Sequence, residues 1–240
     1  MTDLTAPASS PEAARSGRRP DGPNAGILAL VALILSIAAV ALPALAAGTT
    51  YPSPSTPSDG IARYFTDHNF SATLTGFLAF GASVPLGIYA ATTYARLLRL
   101  GIRVPGPNIS FYGGIAASIT LGASGLLIWA VSQTASEAPG AVVHLVADAA
   151  FALGGFGFAT GAGLLIAGIA VPALILRLTP RWLAWTGLVL AALGEISFLG
   201  MFWPGLDYLL PIVRFVGLAW LAVVGFILPR NRHEVPKRGD

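Results

Sequence analysis

The chain of 240 residues contains no cysteine. Disulfides, thiolate metal sites and cysteine nucleophiles are therefore excluded. Charge is scarce as well, with 14 basic and 11 acidic residues making up 10% of the chain, against about 25% in a soluble globular domain. So few charges cannot cover a water-facing surface, which excludes an ordinary soluble enzyme domain. Lysine is almost missing, since Lys237 is the one basic residue that is not arginine. The signatures of the common hydrolases and nucleotide binders are absent too. There is no H-E-x-x-H, no G-x-S-x-G and no Walker loop. The glycine run GGFGFATGAG lies inside an apolar helical stretch rather than after a strand, so it is no dinucleotide fingerprint. No catalytic residue, metal site or cofactor is assigned.

What the sequence has in abundance is apolar length. Hydrophobic residues make up 55% of the chain and mean hydropathy is +0.72, which excludes disorder throughout. The segments 22–58, 68–95, 104–136 and 149–176 contain no Asp, Glu, Lys or Arg. A bilayer core about 30 Å thick needs about 20 apolar residues in a helix. Dividing the apolar runs at Pro, Gly and polar clusters predicts six transmembrane helices near 26–47, 71–97, 111–132, 141–176, 182–203 and 208–228. The fold class is all-α, a polytopic six-helix bundle. Residues 1–25 read as a disordered cytoplasmic tail, 26–228 as the membrane domain and 229–240 as a basic cytoplasmic tail.

Orientation follows from the arginines. Arg15, Arg18 and Arg19 precede the first span, Arg96, Arg99 and Arg103 follow the second, and Arg177 and Arg181 follow the fourth. Arg230, Arg232, Lys237 and Arg238 follow the sixth. With an even number of spans these all fall on one side, which places both termini in the cytoplasm and the protein in a bacterial inner membrane. The net charge of +3 thus reflects topology rather than a nucleic-acid partner. Trp129 and Trp203 fall at outer ends, and Trp182 and Trp185 at an inner end, as an aromatic belt requires. A rival reading of the first span treats Pro43 and Ala44-Leu45-Ala46 as a signal-peptidase site. Cleavage there leaves five spans and the same orientation for the rest.

Helix packing in lipid depends on close backbone approach. Small residues recur every four positions at Gly155, Ala159, Gly163 and Ala167 in the fourth span, at Gly114, Ser118 and Gly122 in the third, and at Thr75, Ala79 and Ser83 in the second. These spans are expected to form the tight centre. Their small-residue faces are also the surfaces through which a second copy or another membrane protein would pack, the lipid bilayer being the main partner. The fourth span, 36 residues from Ala141 to Leu176, would be about 54 Å long. It either projects by several turns or breaks at Gly154-Gly155-Phe156-Gly157.

Ionisable groups within spans are costly. Glu195 lies 13 residues from Trp182, and Arg214 lies 14 from Leu228, which puts each about 20 Å from the cytoplasmic end. A Glu195–Arg214 ion pair is expected, either as a clamp between the last two helices or as a transport site near the midplane. His144 and Asp148, four apart on one helix face, would join Arg63, His68 and Asp207 in an outer polar face.

The stretches DGIARYFTDHN, LTPRWLAWTGLVLAALGEIS and LLPIVRFVGLAWL, above all Pro180, Arg181, Trp182, Trp185, Gly187 and Arg214, resemble a group of functionally uncharacterised bacterial membrane proteins with six helices. The resemblance covers most of 59–228. It implies an integral membrane protein and carries no ligand or activity. Three functional readings stand in order. The first is a non-enzymatic structural, sensory or accessory protein, with a packed interior. The second is a small transporter or channel component, with a wet pocket at Glu195 and Arg214. The third is a membrane-embedded enzyme, which needs His144 and Asp148 to converge with another polar group.

Overall fold

The computed structural model describes residues 22–54 and 56–229. The tails expected at 1–25 and 229–240 lie almost wholly outside the described residues. Within them every regular element is helical, with no strand, and six helices are long and apolar enough to cross a membrane. These are α1 (Ala25–Ala47), α3 (Asn69–Arg99), α4 (Gly106–Thr134), and the composite helices Gly140–Ile175, Arg181–Met201 and Pro204–Ile227. The first composite joins α5 (Gly140–Ala152) to α6 (Phe158–Ile175) through a π-helical turn at Leu153–Gly157. The second is α7 (Arg181–Ile196), which tightens to 3₁₀ geometry over Ser197–Met201. The third runs from a 3₁₀ turn at Pro204–Leu206 through α8 (Leu209–Pro211) and a π-helical turn at Ile212–Val216 into α9 (Gly217–Ile227).

The long fourth span therefore does not break at Gly154–Gly157. It widens by one π-turn and continues, because its three glycines offer no side chains to resist the wider turn. A short helix, α2 (Ser58–Asp67), occupies the segment expected to be a loop. Its cause is visible in the spacing of Ile61, Tyr64 and Phe65, which share one face. All three are buried, and they seed a second apolar cluster with Ala72, Ile128, Val131 and Val143.

Helix ends follow local chemistry. Asn24 caps α1, its Oδ1 accepting from the Gly26 amide at 3.0 Å and the Ile27 amide at 3.4 Å. Gly101 closes α3 at φ 81°, a left-handed conformation that suits glycine. At the equivalent end of α6 Arg177 takes φ 54° instead. Leu178 N then donates to Ala173 O at 3.0 Å, as Ile102 N does to Leu97 O at 3.2 Å, so both ends close in the same way. Arg96, Arg99, Arg103, Arg177 and Arg181 mark this basic end of the bundle.

Backbone approaches backbone at glycine throughout. A Cβ on Gly113 would lie 2.5 Å from Leu165 N, and one on Gly161 would lie 2.6 Å from Ala117 N. Together with Gly106 and Gly168 these fasten α4 to α6. Gly76 and Gly125 do the same for α3 and α4, with a Cβ on either within 2.7 Å of the other's carbonyl oxygen. Gly114, Ser118 and Gly122 face α3, where Ser118 Oγ donates to Ser83 O at 2.8 Å. The small residues picked out in the fourth span face elsewhere. Gly155 meets Leu210, while Ala159 and Gly163 meet Gly194 and Glu195 of α7. The α4 contact uses the neighbouring register, Gly161 and Gly168. At the basic end a Cβ on Gly225 would lie 2.6 Å from Gly26 N, which joins α9 to α1.

Gly161→Ala puts a methyl against two backbone atoms of α4 and is expected to cost about 1–3 kcal/mol. Gly205→Ala, with nothing within 4 Å of the new Cβ, is expected to be neutral. Thermal denaturation of the purified variants in one detergent checks both.

Candidate functional site

The polar side chains within the long helices are held in different ways. Near the basic end Arg96 is buried, and its Nη1 donates to Gly225 O at 2.9 Å and Leu228 O at 3.4 Å. Tyr89 lies below it and donates to Leu221 O at 3.1 Å. Trp220 Nε1 donates to Leu183 O at 2.8 Å, its ring lying where a side chain on Gly187 would stand. These bonds tie α9 to α3 and α7. Arg96 reads in sequence as a topology marker, and only the fold turns it into a cap on the last carbonyls of another helix.

Glu195 and Arg214 are not brought together. Among the described residues they form no ion pair. Glu195 Oε1 lies against Gly163, 2.9 Å from where a Cβ there would stand, and is buried without a hydrogen-bond partner. Arg214 sits within the π-turn Ile212–Val216. Its guanidinium carbon stands 5.3 Å from the centroid of the buried Phe158 ring, and its Nε is buried without a hydrogen-bond partner. The matched depth of the two residues assumed an unbroken α-helix. A π-turn carries an extra residue, which turns the side chains around it by about 100°. Arg214 consequently faces the Phe158 side of α6, and Glu195 faces the Gly163 side.

The two π-turns face one cavity of about 320 Å³. Gly154 and Gly155 of the first turn and Arg214 and Phe215 of the second line it, with α1 contributing Ala39 and Pro43. Val40 and Pro211 also line it and are themselves exposed, so its rim opens to the outside between α1 and the last helix. These two helices touch at Gly26 and Gly225. Ser124 and Thr75 bring hydroxyls to the wall, but both protons are already committed. Ser124 donates to Ala150 O at 2.7 Å and Thr75 to Ser71 O at 3.0 Å. The first bond serves a carbonyl just before the π-turn, where the regular ladder is interrupted.

Tyr51 closes the cavity toward the end opposite the arginines. It lines this cavity, a separate polar cleft of about 520 Å³, and a small space beside Asp148. Its ring packs edge-on against Tyr64 and Phe65 at centroid distances of 5.5 and 6.0 Å. Its hydroxyl is buried without a hydrogen-bond partner. Burial first, then the neighbouring Tyr64 and Asp148, push its pKa well above the usual phenol range, so it stays a neutral O–H donor. Sequence reading passed over Tyr51, which stands in the Pro- and Ser-rich segment TTYPSPS with no periodicity to single it out.

The residues of the expected outer polar face fall into three places. Arg63 and His68 line the polar cleft together with Asp67, and Arg63 Nε donates to Asp59 O at 3.1 Å. His144 Nε2 and Asp148 Oδ2 meet at 3.4 Å, four residues apart on α5. Asp207 lies apart from both, its Oδ1 2.9 Å from where a Cβ on Gly200 would stand. Among the described residues no three His, Cys, Asp or Glu side chains are grouped to hold a metal.

Compared with protein-family models, curated proteins and solved structures, the chain matches none.

Because Glu195 and Arg214 face different sides of α6, Glu195→Gln and Arg214→Met are expected to be additive within about 0.5 kcal/mol. A double-mutant cycle on unfolding in mixed micelles checks this, and a larger coupling energy would restore the ion pair.

Proposed function

We propose that the protein is a non-enzymatic multi-pass protein of the bacterial inner membrane, with both termini in the cytoplasm, that holds a small ligand in the cavity beside Arg214 in a sensory or accessory role. The observation that carries this reading is the cavity itself, an apolar space lined by both π-turns and reached between α1 and the last helix. π-turns inside long helices concentrate at functional sites, and apolar pockets with a few fixed polar groups are the usual form of small-molecule sites.

Membrane insertion is supported by the outward faces. Phe77, Ile119, Val171, Val189 and Phe226 are all exposed, which water would penalise and lipid would not. Trp129 and Trp203 at one end and Trp182 and Trp185 at the other are exposed too, as interfacial anchors. An uncleaved first span is supported by the burial of Ala25, Ala29 and Ala32 and by the Gly26–Gly225 contact. A reactive centre lacks support, since His144 and Asp148 engage each other and, among the described residues, no three His, Cys, Asp or Glu side chains converge. A polar conduction path through Glu195 and Arg214 lacks support, since the two face different sides of α6.

Reporter fusions in the segment 100–105 and after Pro229 are expected to fall on the same, cytoplasmic side; opposite sides would remove the topology. Solvent extraction and mass spectrometry of the purified protein should reveal one amphiphile retained in near-stoichiometric amount. Ala39→Phe, which fills the cavity, and Val40→Trp, which narrows its rim from an exposed position, are expected to lose that molecule while remaining folded. Retention of nothing by the wild type, or equal retention by both variants, would remove the ligand-holding reading.

A further inference from the structure

The cavity wall sorts by chemistry in a way that specifies its occupant. Most of its surface is carbon, contributed by Ala39, Pro43, Ile128, Phe151 and Leu210 among others. Arg214 and Tyr51 are its polar groups with a proton donor to spare. Arg214 presents a guanidinium, one face of which lies over Phe158, with no acceptor on its buried Nε among the described residues. Tyr51 presents a buried hydroxyl without a partner. The other two hydroxyls on the wall have their protons engaged by helix carbonyls. A cation among apolar helices with no facing carboxylate is costly, and a guanidinium fork fits a carboxylate or phosphate through two parallel bonds.

Resting on the ligand-holding reading above, we infer that this cavity binds a single-chain anionic amphiphile, a fatty-acid-like carboxylate whose head meets Arg214 and the Tyr51 hydroxyl while its chain lies against the apolar wall. A free inorganic anion would satisfy the donors and leave the carbon surface uncovered. A neutral or cationic amphiphile would cover the surface and leave the guanidinium without its counter-charge. At about 320 Å³ the space lies at the low end of small-molecule sites, about 300–1,000 Å³, which suits one chain rather than two. The rim between Val40 and Pro211 offers entry from the side of the bundle. Tyr51 separates the cavity from the polar cleft that holds Arg63 and His68, so the head reaches Arg214 without passing those residues.

The test is a thermal-stability titration of the full chain in neutral maltoside micelles. The probes are dodecanoate, dodecanol, dodecyltrimethylammonium, inorganic phosphate and phosphatidylglycerol, with wild type, Arg214→Gln and Tyr51→Phe. Dodecanoate is expected to raise the wild-type melting temperature saturably and to be preferred over the other probes. Arg214→Gln should weaken dodecanoate about tenfold or more, as loss of a charge-assisted contact does, and leave the weaker dodecanol response unchanged. Tyr51→Phe should weaken it less. Equal binding of dodecanol and dodecanoate by the wild type would overturn the anionic head and leave the ligand-holding reading intact. Tighter binding of phosphatidylglycerol would overturn the single chain, and binding of phosphate alone would overturn the amphiphile. If no probe bound, the ligand-holding reading itself would fall. Should Arg214→Gln not fold, competition between dodecanoate and dodecanol on the wild type reads the same head preference.

Discussion

The architecture depends on backbone meeting backbone along α4. Gly113 and Gly161 bring α6 against it, and Gly76 and Gly125 bring α3 against its other side, at separations no Cβ would tolerate. Six helices this apolar would gain nothing hydrophobic from association in lipid, where dispersion and short interhelical hydrogen bonds would have to hold them together. The glycines make both available. They let Ser118 reach Ser83 O and Ser124 reach Ala150 O, bonds that a bulkier interface would hold apart. α1, α7 and α9 are placed on this centre through further small-residue contacts at Gly26, Gly194 and Gly225.

Against that dense centre, two departures from α-helical geometry line one apolar cavity. The turn Leu153–Gly157 widens where three glycines leave the chain unopposed, and the turn Ile212–Val216 follows Pro211, which has no backbone N–H to give to a regular ladder. Each displaces its helix and redirects the side chains beside it. The second turns Arg214 toward Phe158 and the cavity, away from the side of α6 that Glu195 occupies. An internal clamp between the last two helices thereby becomes a cation at the wall of a space. Tyr51, brought in by a loop and fixed by the aromatic contacts of α2, supplies another part of that wall. The cavity is a joint product of six segments, namely α1, the Tyr51 loop, α3, α4, the fourth span and the last helix, and no one of them contains a recognisable site.

Much of the fold was legible. Apolar length, divided at Pro, Gly and polar clusters, located the six long helices, because a backbone in a lipid-like solvent must satisfy its own hydrogen bonds and only long helices do so in one segment. The spacing of Ile61, Tyr64 and Phe65 carried α2, although the surrounding Pro, Ser and Asp masked it. The site was less legible. Arg214 stood out because an ionisable group in an apolar run is conspicuous, but its partner was misjudged. Depth along a helix follows from counting residues, whereas azimuth requires every turn to hold 3.6 residues. The tight register of the fourth span was misjudged for a related reason. Gly155, Ala159 and Gly163 and the set Gly161 and Gly168 are equally small, and composition does not say which stripe meets which neighbour.

The amino-acid sequence by itself determined how many long helices there are and which of their ends carry the arginines. These are one-dimensional quantities, set by hydrophobicity, charge and rise per residue. The tertiary structure decided which way each side chain points, that Arg96 caps a foreign helix, that Glu195 and Arg214 part company, and that Tyr51 seals a cavity beside Arg214. Those outcomes depend on rotation about helix axes and on which small-residue stripe docks first, and rotation is settled only when all the helices compete for the same contacts.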